Sequence, residues 1–388
     1  MKIALVCSEV IAQSGHGRYV LELARRLALR HEVHVFSHLY EPVPGVVHHP
    51  VWAHLGVNLL RLLTFQWCAG RALSGQHFDV VHSIGGVCRE QNVVTVQFCQ
   101  RAWGQRLQQL TTLDRVARSQ GLPSVLGAPW WRQIYHDVYW RVADQFEVPV
   151  LRPGPERRLI AVSGSVRAEL GAHYGVPAQA VTVIPNGVEP DDFSDSVLAP
   201  WRALTREKFG FDAQSRVVLF IGEFFRKGLS TAIQALARWG DPDAHLLVVG
   251  RGPEGEFRKL AEDLGVSEYL HFAGFVADPR PYFAASDVFL FPTLYEPFGM
   301  VVLEAMASGL PIITTRLAGV SDVIRNGVEG YLVDDPMSVT AYAEHLRFLF
   351  ENEARRDEMA TAARRAAQGV SWNEVAARTE AVYHSLKR

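Results

Sequence analysis

Three runs near the start decide the fold class: Lys2-Ile3-Ala4-Leu5-Val6-Cys7, then Arg18-Tyr19-Val20-Leu21-Glu22-Leu23-Ala24-Arg25-Arg26-Leu27-Ala28-Leu29-Arg30, then Glu32-Val33-His34-Val35-Phe36. The first is continuously apolar after its lysine, as a strand buried on both faces must be. The second spaces its apolar residues for one face of a helix, and the third is strand-like again. Working outward, further strands are expected at 79–82 (DVVH), 93–96 (VVTV), 159–162 (LIAV) and 181–184 (VTVI). Short buried strands alternating with helices make a parallel, doubly wound sheet.

After the turn signature Pro185-Asn186-Gly187, residues 189–206 are rich in Asp, Ser and Pro, have weak periodicity and read as a linker. The strand–helix rhythm then restarts. Strands are expected at 217–221 (VVLFI), 246–249 (LLVV), 271–272, 288–291 (VFLF) and 311–314, with helices at 230–238, around 256–264 and after Pro297. The reading is an α/β chain of two tandem Rossmann-like domains facing across a cleft: residues 1–188, a linker at 189–206, and residues 207–370. Ligands of such sheets lie outside the carboxyl ends of the strands. A helical insertion at about 99–147 interrupts the first domain. It carries six arginines (Arg101, Arg106, Arg115, Arg118, Arg132, Arg141) and four tryptophans (Trp103, Trp130, Trp131, Trp140). Such a segment suits a membrane surface, or else packs its rings onto its own domain.

The composition excludes several classes. Of the 388 residues, 48% are hydrophobic and 21% charged, which rules out a disordered or low-complexity chain. A net charge of −2, from 39 basic and 41 acidic residues, gives no global field for nucleic acid. The four cysteines (Cys7, Cys68, Cys88, Cys99) have neither metal-ligand nor disulfide-framework spacing and fit a reducing compartment. The start of the chain shows no signal-peptide pattern, and the apolar stretch 55–73 carries Asn58, Arg61, Gln66 and Arg71, so a cytoplasmic location is expected.

Three segments carry chemistry. In Glu296-Pro297-Phe298-Gly299-Met300-Val301-Val302-Leu303-Glu304-Ala305-Met306-Ala307-Ser308-Gly309-Leu310-Pro311, Pro297 suits a helix's first turn and Gly309 its C-terminal cap, which predicts a helix over about 298–308. Glu296 then sits at the helix start. The N–H groups of Gly299, Met300 and Val301 face an anion or hydroxyl, and Glu304 is placed to accept two vicinal hydroxyls, or to lie on a solvated face. The second segment, Gly222-Glu223-Phe224-Phe225-Arg226-Lys227-Gly228, sets two adjacent cations at a strand's carboxyl end, as a diphosphate requires. In the third, Gln13-Ser14-Gly15-His16-Gly17-Arg18, small residues precede a helix and allow close approach of a ligand.

With these residues in place the chain resembles, over essentially its whole length, the retaining glycosyltransferases of the GT-B fold, family 4 (group 1). Glu296 to Glu304 matches the family's E-x7-E motif, Arg226 and Lys227 its basic pair, 183–188 (VIPNGV) the segment before its linker, and Ser14-Gly15 its glycine loop. The short spacing from Gly222 to Lys227 and the long insertion make it similar to the enzymes that add glucose to the lipopolysaccharide core. The resemblance implies that Arg226 and Lys227 hold the donor diphosphate and Glu304 the ribose. Glu296, with the N–H groups of Phe298, Gly299, Met300 and Val301, would hold the donor sugar. Gly250, Arg251 and Phe275 fall near the nucleotide, Ser14, Gly15 and Gly17 line the donor site, and residues 371–388 form a helix crossing back to the first domain. Gln97 stands where relatives carry a histidine; it cannot act as a base, but it can hydrogen-bond a sugar hydroxyl. His82 matches a commonly found family histidine and is given no catalytic role.

The resulting expectation is a metal-independent hexosyltransferase without cofactor. Its donor is a nucleotide-diphosphate sugar, a UDP-sugar first, and its acceptor a glycan or lipid-linked glycan. The protein would lie in the cytoplasm or peripherally on the inner face of the membrane, with no nucleic-acid partner. The competing readings are a nucleotide-sugar epimerase of the same fold and a non-catalytic sugar-nucleotide-binding or membrane-scaffold protein.

Overall fold

The computed structural model describes residues 1–54, 56, 58–119, 130–152, 154 and 156–387. The chain forms two compact units, one of Met1–Gly187 with Trp372–Arg388, the other of Val188–Ser371.

The first unit runs β1 (Lys2–Val6), β2 (Glu9–Val10), α1 (Gly15–Leu27), β3 (Glu32–Ser37), β4 (Leu39–Tyr40), β5 (Val46–Pro50), α2 (Asn58–Leu73), β6 (Val80–Ile84), β7 (Val93–Val96), α3 (Gln100–Ser119), α4 (Trp130–Leu151), β8 (Arg158–Ala161), α5 (Gly164–Tyr174) and β9 (Val181–Val183). Among the described residues seven strands pair in the order β5-β3-β1-β6-β7-β8-β9, every pair parallel. Ile3, Ala4 and Val6 of the central strand have no exposed surface, which explains its unbroken apolar run. Helix α1 opens at the carboxyl end of β1, with Ser14 as its N-cap accepting from the Gly17 N–H at 3.4 Å. Gly17 is required by packing, because a Cβ there would lie 2.6 Å from the Glu9 carbonyl oxygen and 2.8 Å from the Ile11 nitrogen.

The second unit runs α6 (Asp195–Phe209), β10 (Arg216–Glu223), α7 (Leu229–Trp239), β11 (Ala244–Arg251), α8 (Glu254–Asp263), β12 (Leu270–Gly274), α9 (Arg280–Ala285), β13 (Val288–Phe291), α10 (Met300–Ala307), β14 (Ile312–Thr315), β15 (Gly330–Val333), α11 (Val339–Glu351) and α12 (Glu353–Gln368). Its six parallel strands take the order β12-β11-β10-β13-β14-β15. Val218, Phe220, Leu246, Val248 and Leu290 of the sheet pack with Leu229, Ile233 and Leu236 of α7 and with Leu346 and Leu349 of α11. Each such side chain contributes about 1.5–3 kcal/mol on burial.

The expected linker at 189–206 is instead a short 3-10 turn, Pro190–Phe193, followed by α6, and belongs to the second unit. Contacts far along the chain hold this helix. Arg202 donates to the carbonyls of Ala284 and Ser286 and pairs with Asp287 at 2.8 Å, while Arg206 donates to the carbonyls of Ala285, Asp212 and Ser215. Two arginines thereby satisfy carbonyls at the end of α9 that the short helix leaves without an internal donor.

The last helix, α13 (Trp372–His384), belongs to the first unit and packs on α1. Tyr19 meets Trp372 edge-on at 6.1 Å, and a buried polar chain links the helix to the sheet. Tyr383 Oη lies 2.6 Å from His82 Nδ1, His82 Nε2 lies 2.7 Å from Thr95 Oγ1, and Thr95 Oγ1 lies 3.1 Å from Tyr19 Oη. Burial depresses the His82 pKa to about 3, so the ring is neutral and structural. In the insertion, Trp103 is buried and Arg101 forms a two-pronged pair with Asp144 while donating to the His173 carbonyl, so both bind α3 to its own unit. Of the segment Pro129-Trp130-Trp131-Arg132, which a membrane-facing tip would use, Pro129 lies outside the described residues, as do the side chains of Trp130, Trp131 and Arg132 and those of Arg115, Arg118 and Trp140. Among the described residues no helix is long and apolar enough to cross a membrane.

Candidate functional site

The carboxyl edge of the second sheet gathers most of the singled-out residues. β10 ends in Gly222-Glu223, and the chain turns through Phe224–Gly228 into α7. The Glu223 carboxylate accepts the N–H groups of Phe225 and Arg226 at 3.0 and 2.8 Å, and its carbonyl accepts that of Lys227 at 3.2 Å. The turn is thus closed by its own acid, and the two cations project from consecutive positions. Glycine is needed on both sides of them. Gly222 has φ +149° and a Cβ there would stand 2.6 Å from Lys227 Cγ; at Gly228, φ +80°, it would stand 2.1 Å from the Pro292 carbonyl oxygen.

The neighbouring strand β13 leads into the loop that carries Glu296. This loop is extended and paired with 318–320: the Gly319 N–H donates to the Glu296 carbonyl at 2.8 Å and the Val320 N–H to that of Phe298 at 2.7 Å. Pro297 therefore lies before the helix rather than in its first turn. Gly299, at φ +101°, is the N-cap, and α10 begins at Met300, because pairing with 318–320 holds 296–298 extended. The Val302 and Leu303 N–H groups turn back to the Gly299 carbonyl, while those of Met300 and Val301 have no intrahelical acceptor at this end of the helix. At the other end Gly309, φ +74°, donates to the Met306 carbonyl and Leu310 to that of Ala305, the αL stop that the glycine implied.

The acid and the cations meet. The Lys227 ammonium contacts the Glu296 carboxylate, and Arg226 Nη1 lies 3.8 Å from it while donating to the Tyr295 carbonyl at 3.1 Å. Lys227 is 9% exposed and Glu296 equally so, and the ammonium also stands 5.1 Å above the Phe291 ring. Burial, and then repulsion from Arg226, presses the Lys227 pKa well down, with Glu223 opposing. The carboxylate in contact favours the charged form as well. Burial also lowers the Arg226 pKa, yet a guanidinium keeps its charge in proteins. Glu304, one turn into α10, is 6% exposed, so it is not on a solvated face.

Gly250 and Gly222 are register partners at the ends of β11 and β10, and a Cβ on Gly250 would stand 1.9 Å from the Gly222 carbonyl oxygen. Arg251 follows, its guanidinium 5.2 Å above the ring of Phe275, which lies just beyond β12 and is 57% exposed. Two planar faces thus stand at the edge beside the cations. In the first unit, Ser14, Gly15 and Gly17 lie at the carboxyl end of β1, and Gln97 lies two strands along the same edge, just past β7. Gln97 is 8% exposed, and its side-chain nitrogen has no partner among the described residues. Sequence reasoning missed Glu223, Thr293 and residues 318–320. An acid two positions before a turn's N–H groups is a readable cap signal; Thr293 acts through its hydroxyl on main-chain carbonyls and 318–320 through backbone pairing, and neither leaves a mark in the sequence.

Two units, each a doubly wound parallel sheet, with glycine turns, a pair of adjacent cations and a buried acid at one carboxyl edge, make this a GT-B-type protein. A solved structure of WaaG, a glycosyltransferase involved in lipopolysaccharide biosynthesis, matches with a TM-score of 0.78 over 98% of this chain and 99% of that one, at 24% identity. Anabaena Alr3699/HepE in complex with UDP-glucose matches with a TM-score of 0.65 over 98% and 100%, at 20% identity. The Glycosyltransferase Family 4 family matches residues 13–192, and Glycosyl transferases group 1 matches 202–366. The lipopolysaccharide glucosyltransferase WaaG of Escherichia coli K12 is 32% identical over 206 residues, which span just over half of each chain, 52% of this one and 55% of that one. The D-inositol 3-phosphate glycosyltransferase of Xylanimonas cellulosilytica is 30% identical over 95% of this chain and 91% of its own. The chain belongs to the family 4, group 1 glycosyltransferases.

Proposed function

We propose that this glycosyltransferase moves a hexose, with retention of configuration and without a metal ion, from a UDP-sugar to a glycan or lipid-linked glycan acceptor of the lipopolysaccharide-core type. The observation that carries the reading is the cation pair at Glu296, Lys227 buried against the carboxylate and Arg226 half-buried 3.8 Å from it, beside the start of α10. A diphosphate brings about the charge that Arg226 and Lys227 balance, and with two fixed cations a metal ion is not required for that charge. Within the chain Glu296 is the counter-ion of Lys227; when the diphosphate takes over the lysine, the carboxylate is released toward the donor sugar. Glu304 accepts the ribose hydroxyls, and the Arg251–Phe275 faces flank the base. As the bond between sugar and phosphate breaks, negative charge grows on the diphosphate, where the cations and the N–H groups of Met300 and Val301 already point. Gln97 is not a base, so the departing phosphate oxygen takes the acceptor's proton on the same face of the sugar, which preserves the anomer.

UDP-glucose in the HepE structure supports the donor, and the name of the Escherichia coli relative supports the acceptor class. The free cysteines and the insertion's arginines fit a cytoplasmic enzyme resting on the inner membrane surface. A second reading has its own support: a relative matched over nine-tenths of its length is named for inositol 3-phosphate, a small soluble acceptor. The test is UDP-glucose consumption with core lipopolysaccharide lacking its outer sugars, and in parallel with inositol 3-phosphate. Transfer to the first supports the proposal, transfer only to the second selects the soluble acceptor, and tight UDP binding with no turnover refutes an enzyme.

A further inference from the structure

We propose that Thr293 is a positioning residue of the donor site: its buried hydroxyl clasps the Arg226–Lys227 turn to the Glu296 loop and so sets the spacing between the cations and the acid. The proposal rests on the donor-site reading above.

The ladder between β10 and β13 pairs only Val218 with Val288 and Leu219 with Phe289. Beyond it the turn and the loop leave the sheet side by side, and other bonds must hold them in register. Thr293, with 0% exposure, lies between them. Its Oγ1 is 3.0 Å from the Arg226 carbonyl oxygen and 3.2 Å from the Tyr295 carbonyl oxygen. A hydroxyl has one hydrogen, so it is shared between the two acceptors.

Each of those carbonyls has a second donor. The Leu294 N–H reaches the Arg226 carbonyl at 2.9 Å, and Arg226 Nη1 reaches the Tyr295 carbonyl at 3.1 Å. The bonds close a ring that fixes Arg226 at both ends, its main chain at Thr293 and Leu294 and its guanidinium at Tyr295. Lys227 follows Arg226 directly and Glu296 follows Tyr295 directly, so the hydroxyl stands one residue from each member of the ion pair. Because both carbonyls keep a donor when the hydroxyl is removed, the loss relaxes the spacing without stranding a buried acceptor. That separates positioning from folding.

The experiment compares the full chain with Thr293→Val, Thr293→Ser and Lys227→Ala. The readouts are UDP affinity by calorimetry, KM and kcat for UDP-glucose turnover, and the melting temperature. Thr293→Val is expected to raise the donor KM about tenfold and to lower kcat as well, leaving the acceptor KM unchanged, since one shared hydrogen bond sets the geometry of both charges. Thr293→Ser restores both constants. If Thr293→Val does not fold, Thr293→Ala removes the same hydroxyl with a smaller side chain and is held to the same outcome. Parental UDP affinity and kcat/KM in the hydroxyl-free variant overturn the clasp, whatever the melting temperature, as does a serine variant no better than valine. If Lys227→Ala loses UDP affinity and Thr293→Val does not, the clasp falls while the donor site stands. If neither variant changes UDP affinity, the donor-site reading falls and the clasp with it.

Discussion

Replacing Lys227 by alanine removes one of two adjacent cations from a site that is nine-tenths buried. The stem is packed as well as the charge: Cγ stands where Gly222 has no side chain, and the ammonium sits above Phe291. After truncation Glu296 keeps Arg226, at 3.8 Å, as its cation among the described residues, and a bound diphosphate keeps one of the pair instead of two. Losing one partner of a buried, hydrogen-bonded charge pair costs about 2–5 kcal/mol, part of it from the partner left behind. Because Arg226 remains, the lower part of that range applies, about 2–4 kcal/mol, or roughly 30- to 900-fold in kcat/KM. Lys227→Met keeps most of the stem without the charge, so it separates lost packing from lost electrostatics. The assay is UDP-glucose turnover over a range of donor concentrations, with UDP affinity by calorimetry. Both variants should show the loss. Parental affinity and turnover in Lys227→Met would remove the lysine from the site, and a loss confined to Lys227→Ala would make its role one of packing.

Two further outcomes follow from the geometry. Glu304→Gln should keep the fold but impair donor use, because the amide presents a donor where the ribose diol needs an acceptor. The penalty for 2′-deoxy-UDP-glucose relative to UDP-glucose should shrink in the variant, and equal discrimination in both proteins would exclude a ribose contact. His82, with its pKa held near 3 by burial against about 6.5 in the unfolded chain, makes stability fall as pH drops below about 6.5. The unfolded state takes up a proton that the folded state refuses, at up to about 1.4 kcal/mol per pH unit. Urea unfolding between pH 7 and 5 should therefore show a shallower loss in His82→Gln than in the parent, and parallel curves would contradict the assignment.

The central strands were legible because burial on both faces leaves an unbroken apolar run, as in β1 and in Val217 to Ile221 of β10. The edge strands β9 and β12 were expected too, but the edges β5 and β15 were not. β5 reads Val-Val-His-His-Pro, with its histidines partnered by β3 across the sheet edge: His49 stacks on Phe36, and His48 bonds Ser37. β15 reads Gly-Tyr-Leu-Val, and its glycine is needed only because a Cβ would meet the Ile312 carbonyl at 2.5 Å. α6 was mistaken for a linker because Pro200 and a polar start weaken its local signal, whereas its stability comes from Arg202 and Arg206 reaching residues about eighty positions away. In the site, residue types with a distinctive charge or backbone role, the cation pair, the two glutamates and the glycines, were readable from spacing. What holds them in register, Thr293, the Glu223 cap and the pairing of 296–298 with 318–320, is carried by hydrogen bonds to main-chain atoms, which leave no pattern of spacing or periodicity in the sequence.

Following UDP-glucose by proton NMR as the full chain acts on it in the presence of a core-glycan acceptor tests the central claim most directly, since donor cleavage and product anomer appear in one experiment. The account predicts loss of the donor's anomeric signal, release of UDP, and a new α-configured glycosidic proton. An untouched donor with folded protein, or a β-configured product, would contradict it.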